Sequence, residues 1–240
     1  MKNEEIDDVL KRAAEKPQEL NPIVLESIAD SIKRSLRPVK PRPPVWLTAV
    51  GIVAICAAIA LGGAARAGFF GVAKMNPLER LLVFSALGIL ASLTAVSFVH
   101  QMIPGSRVRL SPAALLVLSN GVLLAVFALL FRDYHADHFL SAGITCLLTG
   151  LLHAVPAGLL SWLMLRRGFA VNRVSAGIVA GTLSGLAGVG MLELHCANFQ
   201  AAHIILWHTA VVPVSAVLGA MLGYSLHLRA RSDDRLAPNV

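Results

Sequence analysis

The sequence predicts an all-α fold: a polytopic membrane bundle of six transmembrane helices with a short helical cytoplasmic segment at its N-terminus. Three observations point to it. Apolar residues make up 56% of the chain and charged residues only 15%, with a mean hydropathy of +0.69, far from the balance of a soluble domain. Six apolar runs are each long enough to cross a bilayer, which takes about 20 residues. The basic residues, finally, fall into alternating connections.

The six runs are Trp46 to Ala65, Arg80 to His100, Pro112 to Phe131, Ala142 to Leu165, Val174 to Leu194 and His203 to Leu226. They divide the chain into an N-terminal segment (1–44), a membrane domain (45–228) and a C-terminal tail (229–240). The first run begins far from the N-terminus and follows a long charged segment, so no cleavable signal peptide is expected. Cytoplasmic loops hold an excess of Lys and Arg. Residues 1–44 carry nine such residues, and Arg107, Arg109, Arg166, Arg167, Arg173, Arg229, Arg231 and Arg235 fall in the connections and tail on the same side. The opposite connections hold only Arg66, Lys74, Arg80 and Arg132. The consistent topology has six spans with both termini cytoplasmic. The same rule accounts for most of the net charge of +7, and the chain lacks the basic helix or aromatic platform that direct nucleic-acid binding needs.

The first 44 residues are too few to bury a core of their own. Two helices are legible in them, one from Glu4 to Lys16, ending before Pro17, and a second with Asn21 as N-cap and Pro22 at the first helical position. In the second, Leu25, Ile28 and Ile32 recur at helical spacing, with Glu26, Asp30 and Lys33 on the other side. Such a face needs a partner. Residues 1–30 hold eight acidic and four basic side chains, a balance that favours a protein over an anionic lipid surface. Pro38, Pro41, Pro43 and Pro44 then make the Ser35 to Pro44 stretch a stiff extended tether.

Within the bilayer, Gly177, Gly181 and Gly185 repeat every four residues in the fifth run, and Gly219 and Gly223 do so in the sixth. This spacing lets helix backbones approach closely. The neighbour is another helix of the chain, or a second copy in a homodimer. Ionisable groups at depth, which mark ion and proton pathways, are nearly absent: Glu193 lies at the end of the fifth run, and His153 and His208 lie one to two turns inside the fourth and sixth. Pro156 and Pro213 are placed to kink their helices.

Three cysteines divide by topology. Cys56 sits mid-run among Ile, Ala and Val, as a small apolar side chain. Cys146 and Cys196 both lie toward the non-cytoplasmic side, which in a bacterium is the disulfide-permissive periplasm. His195 adjoins Cys196 and His203 opens the last run. Three readings stay open here: a rim of capping and packing histidines, a redox-responsive thiol pair, and a zinc or copper site built from Cys146, Cys196, His195 and His203. The metal reading lacks a tight motif, because His203 and His208, five residues apart, lie about 140° apart around an α-helix. No cofactor is expected beyond that. No nucleophile, base and orienting group line up, so no enzyme is expected. Asp133, His135, Asp137 and His138 read as a hydrated loop.

Several features in sequence order resemble a known family: a cysteine early in the fourth run (ITCLL, Cys146), the Arg166-Arg167-Gly168 turn, a Gly-rich fifth run, Leu194-His195-Cys196, and Trp207-His208 in the last run. Together they look like the NrsF-type membrane anti-sigma factors, six-helix negative regulators of extracytoplasmic-function sigma factors. The family usually has proline after the Leu-His-Cys cysteine, where this chain has Ala197. The resemblance implies a protein that holds a sigma factor at the membrane through its N-terminal segment and releases it under stress, with Cys146, Cys196 and the adjoining His195 implied in sensing a metal or oxidant. The partner-binding residues Leu25, Ile28 and Ile32 are instead a reading from periodicity. The alternative is a small transporter or metal-handling protein with a regulatory tail; the glycine faces also fit a scaffold for another membrane subunit.

Overall fold

The computed structural model describes residues 11, 21–35, 43–103, 105–106, 110–134, 139–167 and 172–236. The Glu4 to Lys16 helix apart from Lys11, tether residues 36–42, Arg107, Arg109, His135, Asp137, His138 and Gly168 lie outside the described residues. The chain divides into two units, Met1–Arg42 and Pro43–Val240.

In the first unit a helix runs from Pro22 to Ser35. Asn21 Oδ1 accepts a hydrogen bond from the Ile23 amide at 3.0 Å, supplying an otherwise unmet donor at the helix start. Lys33 and Arg34 stand in the last turn, where the helix dipole favours cations. Its apolar side chains are uncovered: Ile23 is 75% exposed and Leu25, Ile28 and Ile32 are about half exposed.

The second unit holds six helices long and apolar enough to cross a membrane: Val45–Ala67, Pro77–Gln101, Pro112–Leu130, Phe139–Arg166, Arg173–His195 and Ala201–Leu226, called here spans one to six. Local signals set their ends. Gly68, with φ +103°, closes span one in a conformation costly for any side chain. Asn76 and Glu79 cap span two reciprocally across Pro77, which starts the helix a turn before the expected Arg80. Ser111 caps span three ahead of Pro112, and Asn172 caps span five. A five-residue helix, Phe70–Lys74, joins spans one and two. After span six the backbone stays helical to Leu236.

Span five is the hub. In it 78% of the apolar window is buried, against 22% to 39% in the other five. Its sequence explains this, because Gly, Ala and Ser recur on every face and its mean hydropathy is the lowest of the six. A helix shielded from lipid on all sides needs close approach more than apolar bulk. A Cβ added at Gly177 would collide with the Gly219 carbonyl oxygen, one at Gly181 with that of Ser215, and one at Gly185 would lie 2.7 Å from Val212 Cα. These glycines are spent on span six of the same chain. Gly177, Gly181 and Gly185, the face read as fitting a neighbouring helix or a second copy, are all buried within the monomer. Likewise Gly188 abuts the Gly150 carbonyl of span four.

Two apolar cores flank the hub. One gathers Phe98, Leu115 and Leu183 with Cys56, so that thiol is buried among aliphatic groups. The other gathers Phe127, Met191, Leu192 and Ile204, beneath the end of the bundle that carries Cys196.

Candidate functional site

At the cysteine end, spans four, five and six converge. Cys146 lies two turns into span four, and Cys196 caps span five, its amide bonded to the Leu192 carbonyl at 2.7 Å. The Gly150–Gly188 contact lies one turn beyond Cys146 and draws spans four and five together. The two sulfurs stand 3.5 Å apart, as free thiols.

The connections hold this end in place. Gly71 presses on the turn after span five, where a Cβ would lie 2.5 Å from the Glu193 carbonyl oxygen and 2.7 Å from that of Cys196. Lys74 Nζ donates to the Ala197 carbonyl at 3.2 Å. The Ala201 amide donates to the Asp133 carbonyl at 2.5 Å, pinning the start of span six to the connection between spans three and four.

The start of span six departs from an α-helix. Ala201–His203 is one helical turn, and Ile204–His208 is a π-helix. In a π-helix the bond runs from i to i+5, so residues five apart stack where an α-helix would splay them. The expected 140° separation of His203 and His208 is thereby corrected: the rings meet edge to face with centroids 5.3 Å apart. His203 Nε2 lies 3.7 Å from Cys196 Sγ. Sulfur or ring-nitrogen atoms of Cys146, Cys196, His203 and His208 all fall within 4.8 Å of one another, a group able to hold a metal ion.

Glu193 completes the arrangement. His208 Nδ1 and Glu193 Oε1 are 2.6 Å apart, both side chains 1% exposed. Packing brings this pair together across 15 positions of sequence. The pair sits toward the end of the bundle that carries Cys196. A sequence signal for it exists: a lone intramembrane Glu and a lone intramembrane His each need a partner.

His195 goes elsewhere. Its Nδ1 bonds the Gly68 carbonyl at 3.0 Å and its ring packs on Phe70, so it ties span five to the connection after span one. His153 likewise turns away, its Nδ1 2.9 Å from the Thr149 carbonyl and its ring against Gly63. Of the sequence-selected residues, Cys146, Cys196 and His203 are brought together, His195 is not, and His208 joins them.

Electrostatics favour a thiolate at Cys196. The neighbouring Cys146 thiol, then the imidazoles of His203 and His208, outweigh burial and hold its pKa well below the ordinary thiol range. A pocket of about 600 Å³ lined by Phe70, Thr145, Cys146, Cys196, Asn198 and His203 opens onto the sulfurs, giving small species a way in while His208 and Glu193 stay sealed behind. The arrangement can bind a soft or borderline cation, or close a disulfide.

No curated protein and no solved structure matches the chain. The family model for NrsF, negative regulator of sigma F, matches residues 32–229. The match takes in all six spans, both rim cysteines and both clustered histidines, and within the Pro22–Ser35 helix it begins at Ile32. The chain belongs to the NrsF family, negative regulators of sigma F.

Proposed function

We propose that this chain is a membrane-bound anti-sigma factor that holds an extracytoplasmic-function sigma factor through residues 1–37 at the bacterial inner membrane, and releases it when an envelope signal reaches Cys146 and Cys196. Family membership supplies the regulatory role toward a sigma factor. The observation that carries the N-terminal part is the solvent exposure of Ile23, Leu25 and Ile28 along one helix. An amphipathic helix of this kind is completed by laying its apolar face into a partner's groove. Basic residues on the connections shared with the termini support cytoplasmic termini, which leaves the thiols on the envelope side. No catalytic role is assigned to any residue.

On the redox arm, closing a Cys146–Cys196 disulfide removes two electrons and two protons, taken up by an oxidant in the envelope. On the metal arm, the same sulfurs bind a cation. Either event joins span four to the end of span five, and transmission to residues 1–37 requires that the two states of the bundle present that segment differently.

The test is a pull-down from detergent-solubilised native membranes, with tagged full-length protein beside a version lacking residues 1–37. A sigma factor recovered only with the full-length chain is the expected result; no sigma factor in unstressed cells overturns the proposal. Cys146→Ser combined with Cys196→Ser is expected to keep sigma capture and abolish signal-dependent release. Unchanged release would remove the sensor role.

A further inference from the structure

The four clustered side chains have a shape that thiol chemistry alone does not call for. A tetrahedral zinc ion with Zn–S about 2.3 Å and Zn–N about 2.0–2.1 Å places its sulfurs about 3.8 Å apart and each sulfur about 3.5 Å from each nitrogen. The observed separations are 3.5 Å for Cys146 Sγ to Cys196 Sγ and 3.7 Å for Cys196 Sγ to His203 Nε2. The remaining separations within the group stay below 4.8 Å. A single cation at the centre therefore reaches all four residues with small side-chain adjustments.

An independent sign comes from His208. Its Nδ1 is committed to Glu193, which leaves Nε2 as the nitrogen that a metal ion can take. That nitrogen is buried and has no hydrogen-bond partner, which is costly in a ring 1% exposed. A carboxylate behind the far nitrogen of a histidine is the arrangement that orients metal-bound imidazoles and raises their basicity. The π-helix adds to this, because such bulges recur where a helix must present side chains at a functional site, and here it puts His203 and His208 on one face.

We propose that Cys146, Cys196, His203 and His208 form a closed four-ligand centre for a divalent d10 cation of the zinc and cadmium class, with Glu193 as the positioning residue that orients His208. Two thiolates balance the charge of a divalent ion, and the buried Glu193 carboxylate behind His208 adds to the pull on the cation. Four protein ligands leave no open position, so the centre binds and holds rather than catalyses. It links span four, the end of span five and span six, and the 600 Å³ pocket beside the sulfurs is the entry path. Disulfide and metal compete for the same two sulfurs, so each excludes the other. This deepens the proposed sensor by naming its ligand, and it rests on that reading only for the purpose of the site, not for its existence.

The experiment uses full-length protein, reduced and purified in detergent, titrated with Co2+ as a spectroscopic stand-in and then with Zn2+ and Cd2+ in competition. The expected result is one metal per chain, with the visible bands of tetrahedral cobalt and thiolate-to-cobalt charge transfer, displaced by Zn2+. Cys196→Ser weakens the charge-transfer band, His208→Ala lowers affinity by about 100-fold or more, and Glu193→Gln lowers it by about 10- to 100-fold. Cys56→Ala, at a thiol buried in the other core, leaves the cobalt spectrum and affinity unchanged. Absence of a one-to-one metal complex overturns the proposal, as does a His208→Ala protein that binds cobalt with the wild-type spectrum. Sigma capture by the same metal-free preparations is scored separately, so failure of the metal centre and failure of the anti-sigma reading give different results.

Discussion

Spans five and six meet in two different ways along their length. From Gly177 to Gly185 they touch backbone to backbone, with carbonyls of span six where side chains would otherwise stand. From Glu193 to His208 they enclose buried polar side chains and the helix itself changes its winding. The glycine seam carries no reactive group and tolerates no added atom; the polar end carries the chemistry and relies on being held. The seam therefore acts as a ruler. By fixing the distance between the two helices it fixes where Cys196, His203 and His208 arrive, and the parallel Gly150–Gly188 contact does the same for Cys146.

Breaking the ruler should have the largest effect. Gly181→Leu drives a side chain into the Ser215 carbonyl, and because backbone cannot step aside as a side chain can, the cost is expected to reach about 3 kcal/mol or more. Thermal unfolding in detergent checks it, with Gly121→Ala as a control: a Cβ at Gly121 meets nothing within 4 Å, and its melting temperature should stay at the wild-type value.

Next comes the polar end. Glu193→Ala leaves His208 buried without its carboxylate, an expected loss of about 3 kcal/mol, read by the same melt. A melting temperature equal to wild type would mean that the pair is not a structural contact.

The smallest and most selective effect joins the two regions. Gly188→Ala sets a Cβ against the Gly150 carbonyl, at an expected cost of about 1–2 kcal/mol, and pushes spans four and five apart. The yield of Cys146–Cys196 disulfide under mild oxidant should fall several-fold while the protein remains folded. An unchanged yield would show that the seam does not set the sulfur separation.

Much of the architecture was legible because bilayer physics acts on sequence directly. A run of about 20 apolar residues has few other fates, and Pro77, Pro112 and the caps at Ser111 and Asn172 mark ends that local backbone chemistry dictates. Three of the four clustered residues were legible too: Cys146, Cys196 and His203 stand out as thiols and imidazole at the same face. His208 and the carboxylate behind it were not. Excluding His208 follows from assuming α-helical geometry through a segment that is a π-helix, and proximity in sequence promotes His195, which the fold spends on Gly68.

Composition and periodicity within single segments are enough to establish six spans, the Gly-rich character of the fifth, an amphipathic stripe near the N-terminus and soft ligands at one face. Each of these is a property of one stretch of chain and its solvent. Packing between distant helices had to settle the rest: that the glycine faces are used inside the chain, that Glu193 backs His208, and that two thiols and two imidazoles close on one point. Those facts depend on the distance and register between helices far apart in sequence, which hydropathy and spacing along one helix do not encode.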